Sequence, residues 1–175
     1  MSAGEIVFQG RRFHVVQRAR EVAGGSHRYD IVVHPGAAVV LPILPDGRIL
    51  LIQNYRIALD RALLELPAGT LDPGEAPEVC AARELEEETG YRAGALTHLV
   101  DFYTSPGIMT ERISAFLATD LTPGELRLDG GEEIRLAPQT LPDALEGVRT
   151  GRIQDAKTVL TLLYYERFVH GKERP

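Results

Sequence analysis

Gly69-Thr-Leu-Asp-Pro-Gly-Glu75, then seven residues, then Arg83-Glu-Leu-Glu-Glu-Glu-Thr-Gly-Tyr91 is the stretch on which the fold turns. Pro77 and Gly90 bracket a helix over about Pro77 to Thr89, since proline is tolerated in a first helical turn and glycine just past the last. At about 100° per residue, with Glu84 at zero, Glu88 falls near 40° and Glu87 near 300°, so three carboxylates share one face. Glu86, at about 200°, points away from them. Leu85, Ala82 and Val79 lie on the other side and are the residues expected to pack on a sheet. Glutamates at i,i+4 repel by about 0.2–0.5 kcal/mol per pair, and Arg83 is the local compensating charge. Helix stability does not require this arrangement. Two readings stay open: a solvated acidic face, or a site for a hard divalent cation such as Mg²⁺ or Mn²⁺, which takes oxygen ligands and accompanies substrate phosphates.

Working outward, Ala37 to Leu44 and Arg48 to Tyr55 are apolar runs joined by Pro45-Asp46-Gly47, which predicts a β-hairpin. Leu63 to Leu66, Leu96 to Tyr103, Ile113 to Ala118 and Glu133 to Leu136 read as strands. Helices are expected around Leu141 to Arg149 and from an Asp155 N-cap to His170, the latter with Val159, Leu162, Leu163, Tyr165 and Phe168 as a packing stripe. Strands, a helix, more strands and two helices, without strict alternation, indicate an α+β or α/β/α sandwich. The first 35 residues differ: Ile6 to Gln9, Phe13 to Arg20 and Arg28 to His34 suggest a small antiparallel sheet. With so few large apolar residues it needs another surface, expected to be a second subunit. The chain thus divides into an N-terminal β-sheet region, 1–35, that dimerises, and a main domain, 36–175.

Composition excludes several functions. With 25 acidic and 19 basic residues among 175, and a net charge of −6, binding to nucleic acid or to an anionic membrane is disfavoured, because that affinity rests on Lys and Arg displacing counterions. The acidity is local: from Glu65 to Tyr91 eight acids face one base. A single cysteine, Cys80, forms no intramolecular disulfide and fits a reducing compartment. The N-terminus lacks the apolar core of a signal peptide and no apolar run spans a bilayer, so a cytoplasmic protein is expected.

The spacing Gly69, Glu75, Arg83-Glu84-Leu85, Glu87-Glu88 and Gly90-Tyr91 resembles the signature of the Nudix hydrolases at every specified position. The resemblance implies an α/β/α sandwich with a mixed sheet, and a loop-helix-loop holding Mg²⁺ or Mn²⁺ for cleavage of nucleoside diphosphates linked to another group. By position, Glu84 and Glu88 would be the main metal ligands, Glu87 a further one and the Ala68 carbonyl another. Glu75 and Gly69 would be supporting residues, and Arg83 would orient the glutamates.

Beyond this signature, Tyr103-Thr104-Ser105-Pro106-Gly107 places a proline sixteen residues after Gly90, with Glu111 following. This is similar to the ADP-ribose pyrophosphatase branch, which implies that Ser105, Gly107 and Glu111 lie near the substrate, Glu111 at its terminal ribose. Gln53-Asn-Tyr-Arg56 resembles the branch's Gln-x-x-Arg strand end and would put Arg56 at the phosphates, where a guanidinium makes bidentate contacts. Arg28 resembles an N-terminal arginine that reaches the nucleotide, often across a dimer interface. Gly130-Gly-Glu-Glu-Ile134 sits where this branch carries the glutamate that deprotonates or positions water, so Glu132 is the first candidate and Glu133 the second. The expected reaction is metal-dependent hydrolysis of ADP-ribose to AMP and ribose 5-phosphate. Alternatives are another nucleotide sugar, such as ADP-glucose or GDP-mannose, a broad range of nucleoside diphosphates, or a sensor that binds without cleaving. Ile108-Met109, where smaller or more polar residues are frequent in the branch, leaves room for another sugar. Phe8, Phe13 and Tyr29 are the aromatic residues available to stack on a base, though each is expected in the core.

Overall fold

A computed structural model describes residues 4–128, 130 and 133–171. Strands β1 (Glu5–Gln9), β2 (His14–Val22) and β3 (Gly25–Val33) form an antiparallel three-stranded sheet. The sheet that carries the site has the order β7 (Ala68–Thr70), β4 (Ala37–Pro42), β10 (Arg112–Thr119), β9 (Ala95–Tyr103). In it β4 and β10 are parallel and the other pairs antiparallel, so the sheet is mixed. A second antiparallel sheet has the order β12 (Ile134–Gln139), β5 (Ile49–Arg56), β6 (Arg61–Glu65). The short strands β8 (Tyr91–Arg92) and β11 (Thr122–Pro123) pair with each other.

The α/β/α layering follows from the central strands. Along β4, Ala37, Val39 and Leu41 enter one apolar cluster and Ala38 and Val40 the other; β10 divides likewise, with Ile113, Ala115 and Leu117 opposite Phe116 and Ala118. Both faces of these strands are covered, which is why their sequences are continuously apolar. Helix α1 (Pro77–Thr89) covers one face through Cys80, Ala81 and Leu85. Helices α2 (Leu141–Arg149) and α3 (Ala156–Phe168) cover the other through Leu141, Ala144 and Leu162. As expected, the Asp155 carboxylate caps α3 by accepting from the Thr158 N–H at 3.0 Å, and Gly90 ends α1 at φ 71°.

Four expectations change. The turn at Pro45–Gly47 reverses the chain, with the Leu44 N–H donating to the Arg48 carbonyl at 2.8 Å. Apart from one bridge between Ile43 and Ile49, however, β4 and β5 do not pair. Each already has a partner on both edges: β7 and β10 for β4, β12 and β6 for β5. No free edge remains for a hairpin, and the two strands enter different sheets. On α1, Val79 and Ala82 are exposed while Ala81, Leu85 and Glu88 are buried, so the buried face sits beside the carboxylates and includes one of them. Leu163 and Phe168 are likewise exposed, and the α3 stripe reduces to Val159, Leu162 and Tyr165.

The N-terminal sheet does not bury its aromatics. Phe8, Phe13 and Tyr29 are all exposed, as are Ile6 and Val7, in contrast to the core positions expected of the three rings. The end of β3 joins the main domain through the Ser105–Thr110 loop: the Val32 N–H donates to the Ile108 carbonyl, and the Thr110 N–H to the Val32 carbonyl, both at 2.9 Å. No helix among the described residues is long and apolar enough to cross a membrane.

Candidate active site

Arg83 organises the acidic helix. Its Nε and Nη2 donate to Glu75 at 2.9 and 3.0 Å, and Nη1 donates to Glu84 at 2.6 Å and to Glu87 at 3.0 Å. Nη2 also reaches the Thr70 carbonyl at 3.3 Å. The Arg83 guanidinium, helped by the Asp72 N–H, holds the Glu75 carboxyl at about 2, well below its ordinary range. Hydrogen bonds to Glu75, then to Glu84 and Glu87, raise the Arg83 pKa further and keep it charged. Glu86 turns outward and binds Arg92 at 2.7 Å and the Glu125 N–H at 3.2 Å, which anchors the segment after β11. That is the separation of Glu86 from the other glutamates expected from helical geometry.

Glu88 is buried, 3% exposed, and accepts from the Ala68 N–H at 2.9 Å. Beside it, a Cβ at Gly69 would overlap the Glu84 carboxylate. The glycine therefore gives the Glu84 carboxylate its place against β7, and does not answer to an unusual backbone angle. Burial pushes the neighbouring Cys80 thiol up to about 12, which makes it a packing residue and not a nucleophile.

These groups open on a cleft of about 760 Å³. Of the residues expected from sequence, Arg56, Ala68, Gly69, Arg83, Glu84, Glu87, Glu88 and Glu111 line it. Glu75 lies behind Arg83. Glu111 accepts from the Thr104 hydroxyl at 2.7 Å, and the Ser105 carbonyl closes a turn by accepting from the Ile108 and Met109 N–H groups. Ser105 and Gly107 do not line the cleft. Nor does Arg28, which lies on exposed β3 and donates to Gln17 at 3.3 Å. Glu133 is exposed off the cleft wall, its carbonyl accepting from the Tyr55 N–H, and Glu132 lies outside the described residues. Several wall residues escaped the sequence reading: Arg11 and Arg12 from the β1–β2 turn, Thr104, Arg127, and Asp155 and Lys157 at the start of α3. Lys157 carried one signal, being one of two lysines in a chain with 17 arginines.

Among the described residues no three His, Cys, Asp or Glu side chains are gathered at metal-ligating distances. Glu84, Glu87 and Glu88 nevertheless line one cleft with Ala68, and an all-oxygen donor set fits a hard divalent ion. A family model for the NUDIX domain matches residues 33–160. The chain is a Nudix hydrolase. Over 167 residues, 94% of this chain and 90% of the relative, it is 40% identical to an ADP-ribose pyrophosphatase of Bacillus subtilis (strain 168). It is 38% identical to a methanol dehydrogenase activator of Bacillus methanolicus over 93% of this chain and 89% of the relative. A GDP-mannose pyrophosphatase of Cronobacter sakazakii is 41% identical over 75% of this chain and 73% of the relative. The fold superposes on a crystal structure of an ADP compounds hydrolase with a TM-score of 0.85, at 26% identity, covering 99% of this Nudix hydrolase and 95% of that chain.

Proposed function

We infer that this Nudix hydrolase is a divalent-metal-dependent diphosphatase that cleaves ADP-ribose to AMP and ribose 5-phosphate. The observation that carries the reading is the shared cleft: an acidic helix face, the Arg56 guanidinium and the Thr104–Glu111 pair border one space. Glu84, Glu87, Glu88 and the Ala68 carbonyl would hold Mg²⁺ or Mn²⁺. Such an ion supplies charge to the diphosphate oxygens and lowers the pKa of water. Arg83 fixes the rotamers of Glu84 and Glu87, and its charge limits their mutual repulsion. Arg56 offers donors to phosphate, and Glu111, held by the Thr104 hydroxyl, offers an acceptor to a sugar hydroxyl. The proton leaving the attacking water would pass to Glu132, the first candidate from the resemblance, since Glu133 lies off the cleft wall, and the P–O–P bond breaks as the new P–O bond forms.

The 40% identical relative supports ADP-ribose as the substrate, and the GDP-mannose pyrophosphatase supports a purine nucleotide sugar as the second reading. The exposed Phe8, Phe13, Ile6 and Val7 of region 1–35 support a homodimer through the N-terminal sheet, with Arg28 serving the partner's site. The lone buried thiol of Cys80 supports a cytoplasmic location. The deciding experiment measures AMP release from ADP-ribose, and GMP release from GDP-mannose, with Mg²⁺. ADP-ribose is expected to be the better substrate by kcat/KM, with Glu88→Gln inactive. No AMP from the wild type, or full turnover by Glu88→Gln, refutes the proposal.

A further inference from the structure

We propose that Glu65 is a positioning residue that holds two cations, Arg56 and Lys157, at the cleft wall, and that Lys157 is a second direct contact to the substrate's diphosphate. Glu65 ends β6 with its side chain 1% exposed. Arg56, on the adjacent strand, grips it with both ends of its fork, Nε to Oε1 at 2.8 Å and Nη2 to Oε2 at 2.5 Å. Lys157 arrives from the first turn of α3 and donates to the same Oε2 at 2.7 Å and to Asp155 at 2.9 Å. The next residue pair fastens the same junction, with the Leu66 N–H donating to the Thr158 hydroxyl at 2.8 Å.

Exposure gives the cluster a direction. The carboxylate of Glu65 is inaccessible, whereas Arg56 and Lys157 keep 37% and 14% of their side chains accessible, and both border the cleft beside Ala68 and Glu88. Among the described residues, the bonds to Glu65 use Nε and Nη2 of Arg56, leaving the Nη1 hydrogens, and Lys157 commits two of its three ammonium hydrogens. A buried ion pair is weak evidence of a stability role, because desolvation offsets the Coulombic gain. Burying one carboxylate behind two cations whose remaining donors border an anion cleft is better explained by preorganisation for phosphate. Burial alone would raise the Glu65 pKa, yet the two cations outweigh it and keep the carboxyl ionised, so the clamp persists at neutral pH.

This inference rests on reading the cleft as a diphosphate site, and its test does not depend on turnover. The full chain is titrated calorimetrically with imidodiphosphate in Mg²⁺, and melting temperature is recorded for every variant. Wild type is expected to bind; Lys157→Met should bind about ten-fold more weakly, the loss of one charge-assisted hydrogen bond, with a shallower salt dependence, and Lys157→Arg should recover most of it. Glu65→Gln should weaken binding likewise, while Lys157→Met remains informative should Glu65→Gln fail to fold. With whichever nucleotide sugar is cleaved, Lys157→Met should raise KM more than it lowers kcat. No imidodiphosphate binding by wild type, or equal binding by a folded Lys157→Met, overturns the proposal. If these shifts appear while ADP-ribose is not cleaved, the substrate assignment fails and the clamp stands.

Discussion

Replacing Arg83 by Met removes the charge that three carboxylates share, and the structure sets the size of the effect. Arg83 is 28% exposed, and Glu75 and Glu84, at 10% and 14%, have little solvent to take its place. A Glu75 carboxyl held at about 2 in place of its ordinary 4.5 contributes about 3 kcal/mol at neutral pH. Glu84 and Glu87 lose a partner as well, while the relief of no longer desolvating a guanidinium offsets part of the loss. Arg83→Met is therefore expected to cost about 3 kcal/mol at pH 7 without divalent ions, a fall of roughly 6–12 °C in melting temperature for a chain of this size. The sign of the pH dependence follows from a depressed carboxylate pKa. Its stabilisation is present above 4.5 and is lost as pH falls towards 2, so the gap between wild type and variant should narrow below pH 4.5. Melting both proteins by circular dichroism in EDTA from pH 7 to pH 3 tests this. A variant melting within about 2 °C of wild type at pH 7, or a gap that does not narrow in acid, would show that Arg83 does not hold these carboxylates together.

Three further outcomes are expected. Gly69→Ala should reduce turnover at least ten-fold, since its Cβ displaces the Glu84 carboxylate and misplacement of a catalytic group by about 1 Å has effects of this order or larger; steady-state kinetics beside a melting curve separate this from unfolding. Thr158→Val should destabilise the fold by about 1–3 kcal/mol in urea denaturation, because the Leu66 N–H loses its buried acceptor. Cys80, buried with its thiol pushed up to about 12, should resist Ellman's reagent at pH 8 in the native protein and react on unfolding; rapid native labelling would contradict its place under α1.

The helical elements were legible because their signals are local. Pro77 and Gly90 delimit α1, and Asp155 caps α3, through backbone chemistry confined to a turn. The separation of Glu86 from Glu84, Glu87 and Glu88 follows from 3.6 residues per turn alone. By contrast, the fate of Pro45–Gly47 was not local. The turn is written in the sequence, but whether its flanking strands pair depends on which edges β7, β10, β12 and β6 already occupy. The buried face of α1 was misplaced for the same reason: Val79 is apolar, yet the sheet beneath the helix selects Ala81, Leu85 and Glu88.

What the sequence determined by itself is the spacing of Gly69, Glu75, Arg83 and the glutamates, hence the carboxylate face and the family. Ala68, Arg56 and Glu111 were expected beside them and line the same cleft, whereas tertiary structure alone decided which further groups share it. Lys157 meets Glu65 across 92 residues of chain, Arg11 and Arg12 arrive from the β1–β2 turn, and Arg28 stays on an exposed strand. A helical period carries information over a few residues, whereas a cleft wall is assembled by sheet order and strand ends, which no single segment encodes.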